Sequence, residues 1–201
     1  MSLAVAQATL TGEEEQIFQD QVMPMLRTRL LPDFVPRAAS TIRSAIQQAK
    51  VRFGIPFGGL IPTGSQIGVA PLSGKDFNLT NTFTGFRQNI TSANAFTNVV
   101  SAITTSKFAY LVVLAIADIE PVVRTRAVQF TAGGITHPVI WLPELRSSER
   151  QFQEIEPFII SPASVATLGV FVGADTGFAE LSPWGFVVAT QNYLISTTFI
   201  A

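Results

Sequence analysis

The residues that could perform acid–base or metal chemistry are few in this chain of 201 residues, which contains one histidine and no cysteine. His137 precedes Pro138 where a predicted turn leads into a strand. A Ser-His-Asp triad would have to use this histidine, and a cupin-type metal site needs several histidine ligands. The lack of cysteine removes disulfides, thiolate chemistry and cysteine-based zinc sites. We therefore interpret His137 as structural and expect no catalytic residue, no cofactor and no metal ligand.

Two pairs of carboxylates are spaced so that both members share one face of a strand: Asp118 with Glu120, and Glu154 with Glu156. Glycosidases need two carboxyl groups at a set separation, and a hydrolase on a β scaffold is our third alternative. Nothing in the sequence places either pair in a cleft, so we interpret the four carboxylates as members of surface or interface ion pairs. The candidate partners are Arg124, Arg126, Arg146 and Arg150.

Charge is scarce: charged residues make up 13% of the chain, against about 25% in an ordinary soluble protein. The hydrophobic fraction is 47% and the net charge is −1. This composition predicts a subunit whose contacts with neighbours replace solvent; the alternative is a monomer with a polar, uncharged surface. The longest apolar run, residues 108–117, is about half of the ~20 residues that a membrane-spanning helix requires.

From residue 67 onward, apolar runs alternate with Gly, Pro, Ser and Asp at intervals typical of sandwiches and barrels. We predict a mainly β protein, with an antiparallel, jelly-roll-like β-sandwich over residues 67–201. The strand at residues 164–173 is apolar on both faces, and we expect both faces to be covered. The predicted strands are 66–71, 76–87, 96–105, 108–118, 122–131, 135–141, 157–161, 164–173, 178–182 and 185–199.

Residues 1–52 read as an N-terminal helical arm, joined to the β domain by a Gly/Pro-rich linker at 53–66. Thr11 and Glu14 have the spacing of a capping box, which predicts a helix start, and Pro24 should interrupt that helix. A second helix is predicted over residues 38–50. An apolar stripe on the first helix is predicted to be a subunit interface, unless it packs on its own β domain: Phe18, Val22, Met25 and Leu26.

Basic residues accumulate in the second half of this arm. They are candidates for contact with a polyanion or an acidic neighbour, and the alternative is that they follow the helix dipoles and face solvent. These residues are Arg27, Arg29, Arg37, Arg43, Lys50 and Arg52.

A helical arm, a Gly/Pro hinge, a cysteine-free β-sandwich of low charge and an apolar tail at residues 197–201 together resemble the small jelly-roll capsid and capsid-associated proteins of viruses, bacteriophages included. The resemblance implies a non-enzymatic structural subunit of a virion, which assembles with copies of itself and other virion proteins. Contact with nucleic acid is compatible with it, and no functional residue is carried over. The alternative is a carbohydrate- or receptor-binding jelly-roll module.

Overall fold

The computed structural model describes residues 10–77, 86–119, 124–142 and 153–198. Helices come first along the chain, strands follow, and one short helix ends the described part. The helices are α1 (Gly12–Ile17), which continues through a π-helical turn (Phe18–Val22) into α2 (Met23–Arg29), then α3 (Val35–Phe53) and α4 (Gln191–Thr198). The strands are β1 (Ile67–Pro71), β2 (Phe86–Ile90), β3 (Phe96–Thr104), β4 (Ala109–Asp118), β5 (Thr125–Ala132), β6 (Ile135–Thr136), β7 (Ile140–Trp141), β8 (Gln153–Ile160), β9 (Val165–Val172) and β10 (Gly177–Thr190).

The strands form two antiparallel sheets. The helix-side sheet has the order β1-β10-β4-β8, and β2 extends the β1 edge along β10; the outer sheet has the order β3-β9-β5-β6, with β7 also paired to β5. The pairing is nested, since β1 pairs with β10, β3 with β9, β4 with β8, and β5 with β6 and β7. This is the wrapping of a double-sheet jelly roll. The predicted fold class is confirmed, and the first strand begins at Ile67 as expected.

The two sheets pack face to face around one apolar core. Alternate residues of each strand point into it, as the two-residue period of a strand requires. Val113 and Val187 enter from the helix-side sheet, and Phe130, Leu168 and Val170 enter from the outer sheet.

A second core lies on the other face of the helix-side sheet, under α1, α2 and α3. In β4, every residue from Ala109 to Ala117 is buried, because one face meets the outer sheet and the other meets the helices. The residues that join sheet and helices in this core include Tyr110, Val112, Leu114, Phe186 and Val188 from strands, and Phe18, Leu26, Ile42 and Ile46 from helices. The molecule therefore has three layers: helices, helix-side sheet and outer sheet.

The helical stripe predicted as a subunit interface lies in this second core. Phe18, Val22 and Leu26 are fully buried against the chain's own helices and sheet, so the prediction that they meet a neighbouring subunit is corrected. The reason is the apolar outer face of the helix-side sheet, which needs a cover and finds it in the arm. Met25 is only partly buried, and for this residue the interface prediction remains open.

The segment predicted as a linker is part of the sheet edge. Phe57 is buried, and three backbone hydrogen bonds join this segment to β1: Gly58 N–H to Ile67 C=O at 2.8 Å, Ile67 N–H to Pro56 C=O at 2.8 Å, and Val69 N–H to Gly59 C=O at 3.0 Å. An uncovered edge strand would offer unpaired backbone groups to other chains. The helices of the arm end at Phe53 and the strands start at Ile67, on either side of the Gly/Pro-rich segment, but the arm and the β domain share the second core.

Other boundaries differ from prediction for local reasons. The expected strands 178–182 and 185–199 are one strand, β10, which ends at Thr190 and is followed by helix α4. Pro183 is tolerated within β10 because it lies between the stretches that pair with β2 and β1, where β10 has only β4 beside it. The predicted strand 76–87 starts as a 3₁₀ turn (Gly74–Phe77), and residues 78–85 lie outside the described part.

We expect Val22→Asp to destabilise the isolated chain, since it places a carboxylate in the core under the helices. A loss of about 4 kcal/mol corresponds to a fall of about 8–16 °C in Tm at this chain length. Thermal unfolding followed by circular dichroism measures the change. Val51→Asp is the matched control, because Val51 is 75% exposed on α3; an unchanged Tm in the Val22 variant would contradict the three-layer packing.

Gly185 is a second position at which we expect a substitution to destabilise the fold. The β4–β10 register shifts between Trp184 and Gly185, and a Cβ added at Gly185 would lie 1.9 Å from the Val112 carbonyl oxygen. The clashing atom belongs to the backbone of the neighbouring strand, which cannot move aside as the end of a flexible side chain can. Gly185→Ala should therefore lower the free energy of unfolding by about 2–3 kcal/mol in urea titrations. Gly12→Ala, where an added Cβ meets no atom within 4 Å, should leave it nearly unchanged. Equal stabilities for the two variants would refute this account of the bulge.

Candidate interaction surfaces

His137, the only histidine in the sequence, has a packing role. Its ring lies on that of Phe158 with centroids 4.2 Å apart, and its backbone N–H donates to the Phe130 carbonyl at 2.8 Å. Burial lowers the pKa of His137, which favours the neutral imidazole. Within the described ranges, no three His, Asp or Glu side chains are grouped so that they could hold a metal ion.

The carboxylates of Glu154 and Glu156 both reach the helical layer. Glu154 Oε1 accepts a hydrogen bond from the Leu31 backbone N–H at 2.6 Å, and Glu156 Oε2 lies 3.3 Å from Arg37 Nη1. The predicted shared face is thus confirmed, with contacts that attach β8 to the loop before α3 and to α3 itself. Asp118 accepts a 3.3 Å hydrogen bond from the Thr125 backbone N–H. Three of the remaining candidate residues, Glu120, Arg146 and Arg150, lie outside the described part.

Glu14 is the polar centre of the helical layer. Its carboxylate accepts backbone N–H bonds from Thr11 at 2.8 Å and Phe57 at 2.9 Å, and forms an ion pair with Lys50. Burial raises the pKa of Glu14, but the Lys50 ammonium and the two backbone N–H groups outweigh burial, so the net shift is downward. One buried carboxylate therefore joins the start of α1, the end of α3 and the segment beside β1, and the predicted capping box is confirmed.

A second ion pair joins the same helices. The Arg43 guanidinium bonds both oxygens of Glu15, at 3.0 and 2.6 Å, and lies 4.2 Å from the centroid of the Phe18 ring. The hydrogen bond from Arg43 lowers the pKa of Glu15 despite an opposing effect of burial. The acidic first half and the basic second half of the arm thus partly neutralise each other within one chain.

The six basic residues proposed for polyanion contact therefore differ in their surroundings. Arg37, Arg43 and Lys50 are in intramolecular ion pairs. Arg52 lies 6.0 Å from the Phe53 ring centroid. Arg27 and Arg29 are exposed in the last turn of α2 and form no ion pair with a described residue. Polyanion contact stays a prediction, and these last two residues are the most available for it.

An aromatic row crosses the exposed face of the outer sheet, on three strands that lie far apart in sequence. Phe171 on β9 lies between Phe96 on β3 and Trp141 on β7, with ring centroids 5.5 and 5.9 Å away. Phe96 is 43% exposed and Trp141 is 60% exposed. Phe171 pairs with Phe96 on one side and with Ala127 on the other, and Trp141 pairs with Ala127. The register of the sheet therefore builds the row.

Small and amide residues continue this face next to the row. Asn98 and Gln129 are both register partners of Gly169. An added Cβ at Gly169 would lie 3.3 Å from Asn98 Oδ1 and 3.6 Å from the Phe96 ring. The Asn98 amide and the Phe96 ring therefore pack closely over the Gly169 backbone.

The sequence contained one signal for this surface. β9 is apolar on both faces, which led us to expect cover on both sides, but Val165 and Phe171 on its outer face are only partly covered by the described chain. That expectation is corrected: β4 and residues 185–189 of β10 are buried on both faces, and β9 is not. The row itself was missed, because its members meet only through strand register.

A cleft of about 660 Å³ opens at the opposite end of the sandwich, and we call it the end cleft. Its apolar wall is formed by Phe53, Ile55, Phe108 and Tyr193. Amide side chains are also present: Gln66, Gln191 and Asn192.

α4 is held at the end cleft by a buried polar contact. The Tyr193 hydroxyl donates to Asp76 Oδ1 at 2.9 Å, and the other oxygen of Asp76 accepts from the Ser73 backbone N–H at 2.7 Å. Burial raises the pKa of Asp76 despite these hydrogen bonds, and burial together with the Asp76 charge raises the pKa of Tyr193.

No protein family and no curated protein compared with this sequence gives a match. None of the helices in the described part is long and apolar enough to cross a membrane. The candidate functional features are therefore those that the structure alone identifies: the aromatic row, the exposed arginines of α2 and the end cleft.

Glu14 yields a prediction about pH. Its folded-state pKa lies below the ordinary value of 4.5, so ionised Glu14 stabilises the fold above pH 4.5, and this contribution is lost as the pH falls through the folded-state pKa. At pH 7, Glu14→Gln should lower the free energy of unfolding by about 1–3 kcal/mol, and the difference from wild type should shrink toward pH 3. Urea titrations over this range measure it, with Glu13→Gln, an exposed neighbour in the same turn, as control. A pH-independent difference would contradict the assignment.

Proposed function

We propose that this chain is a non-enzymatic structural subunit of a viral or phage particle, which assembles with copies of itself and with other virion proteins. The observation that carries the proposal is the aromatic row on the outer sheet. A strand with apolar residues on both faces belongs in a covered environment, and the described chain covers the outer face of β9 only in part.

The rest of the molecule supports lateral assembly. The nested jelly-roll pairing produces a compact block with one open sheet face, a form also found in viral capsid proteins. Charged residues are few, and some of them are already paired with each other in the helical layer. The aromatic row offers contact without the desolvation of many charges.

A second candidate function has its own observation. The exposed Trp141 ring, with Asn98 and Gln129 on the same face, combines an apolar plane with amide donors and acceptors, which suits the carbohydrate- or receptor-binding module. The test is to titrate the protein with oligosaccharides and follow Trp141 fluorescence. Quenching of this fluorescence in a protein that stays monomeric would favour the binding module over assembly.

For the structural subunit, we expect concentration-dependent assembly in sedimentation velocity, and Trp141→Ser should raise the free-subunit fraction. Covering a ring that is 60% exposed removes on the order of 100–150 Å² from water, worth about 2–4 kcal/mol per contact. Phe96→Ser should act in the same direction. Ile61→Ser is the control, since Ile61 is 84% exposed but lies before β1, away from the row. A wild-type chain that stays monomeric at all concentrations, or a Trp141 variant that assembles as well as wild type, would refute the proposal.

A further inference from the structure

The end of the sandwich that carries the end cleft exposes apolar side chains to solvent. Phe108, in the wall of the cleft, is 46% exposed, and Ile195 on α4 is 45% exposed. Ile195 follows Gln191 by four residues, so the two side chains share one face of α4, and Gln191 lines the cleft. None of the described residues that line the cleft is charged. Apolar side chains grouped around an apolar cleft are typical of a surface that contacts another apolar body.

Two cations stand beside aromatic rings of the same cleft. The guanidinium carbon of Arg52 lies 6.0 Å from the centroid of the Phe53 ring, and Lys107 Nζ lies 5.0 Å from the centroid of the Phe108 ring. Phe53 and Phe108 both line the cleft. The side chains of Arg52 and Lys107 are exposed, and neither forms an ion pair with a described residue. Positive charge and apolar surface therefore occur together at this end.

The segments that meet around the cleft contain no carboxylate to compensate these cations. Two of the loops are joined by the Thr105 hydroxyl, which donates to the Ser161 carbonyl at 3.1 Å and accepts from the Ser164 backbone N–H at 3.0 Å. The segments without Asp or Glu are residues 54–66, 105–108 and 161–164, and helix α4. The charge of the two cations is thus not compensated within these segments, and this end attracts anions.

We propose that this end of the sandwich docks on a membrane surface that contains anionic lipids. Phe108 and Ile195 enter the boundary between headgroups and acyl chains, where amphipathic surfaces bury their apolar side. Arg52 and Lys107 contact the anionic headgroups, since basic side chains next to a membrane are attracted to its negative surface charge. Apolar contact and charge attraction then act on the same face, and neither has to hold the protein alone.

The cleft adds a place for part of one lipid. Its volume, about 660 Å³, lies within the range of ordinary ligand sites, and its wall of Phe53 and Phe108 suits an acyl chain. The side-chain amides of Gln191 and Asn192 also line the cleft and form no hydrogen bond with a described residue, so they are available to the ester carbonyl groups of a lipid. This surface is separate from the aromatic row, so membrane docking goes beyond the proposed assembly and does not depend on it.

Flotation of the full-length protein with vesicles tests the proposal. The protein should float with vesicles made of equal parts phosphatidylserine and phosphatidylcholine, and bind at least about tenfold less to vesicles of phosphatidylcholine alone. The bound fraction should fall severalfold between about 50 mM and about 500 mM NaCl, because salt screens the attraction. A protein that does not float with the anionic vesicles, or that floats equally with both kinds, would overturn the proposal.

The two cations have a matched control pair on α2. Replacing both Arg52 and Lys107 by Gln should lower the affinity for anionic vesicles about tenfold to thirtyfold, since each basic residue near an anionic surface contributes about a factor of five. Arg27→Gln with Arg29→Gln removes the same charge shortly before α3 begins, and the 19 residues of α3 span about 28 Å to Phe53. This control should bind nearly as well as wild type. Equal losses in the two pairs would reduce the effect to net charge and refute the docking site.

The apolar contact is tested in the same way. Phe108→Ser should reduce flotation severalfold, because it removes the exposed ring at the cleft. Trp141→Ser is the control, since it removes an exposed ring from the aromatic row and should leave flotation unchanged. Melting curves establish that each variant is folded. A Phe108 variant that binds as well as wild type would contradict insertion of this end.

The absence of cysteine from the sequence allows the orientation to be measured with one thiol-linked fluorophore. An NBD label on Ser65→Cys, at the rim of the cleft, should brighten severalfold on anionic vesicles. A label on Gln88→Cys should not, because exposed Gln88 pairs with Ala179 near the start of β10, whereas the cleft lies at Thr190, about 35 Å along the strand. An equal response of the two labels would overturn the orientation. A Ser65 label that responds to monomeric octanoate but not to vesicles would assign the cleft to a soluble amphiphile and overturn membrane docking.

Discussion

The structure depends on two strands that are apolar on both faces. β4 and β10 run through the centre of the helix-side sheet, and residues 109–117 of β4 and 185–189 of β10 are buried without a break. Such a sheet needs a cover on each side, because a bare apolar face of this size is costly in water. The outer sheet supplies one cover and the arm supplies the other. The arm is therefore structural in its own chain, whatever it does in an assembly.

The helical cover is fixed in place by charge. A buried carboxylate is costly unless its oxygens are paired, and Glu14 is paired with Lys50 and with the backbone of Thr11 and Phe57. These contacts join the two ends of the helical layer to the segment beside β1. Glu15 and Arg43 make a second connection near Phe18. The ion pairs thus bring the acidic and basic halves of the arm together, while Arg27 and Arg29 form no ion pair with a described residue.

Several elements could be predicted from sequence because their causes are local. The spacing of Thr11 and Glu14 predicted the start of α1. The change from a Gly/Pro-rich segment to apolar runs near Ile67 predicted the first strand. The partner of an apolar stripe is a non-local property, so periodicity showed that Val22 lies on an apolar face without showing what covers it. The charged start of β8 was left out of the predicted strand, which began at residue 157, for a similar reason. Glu154 and Glu156 are compatible with a strand because Leu31 and Arg37 meet them.

The C-terminal apolar run was predicted as strand to residue 199, and this was wrong from Gln191 onward, where α4 begins. Tyr193 reaches Asp76 and Leu194 enters the core between the sheets, so α4 turns the chain back over the start of β1. This turn forms one wall of the end cleft, close to Phe108 at the start of β4. The aromatic row lies at the other end of the sandwich, since Phe96 and Phe171 are paired at the end of β3 remote from Thr104. An occupant of the cleft and a neighbour on the outer sheet therefore use separate surfaces, and neither has to displace the other.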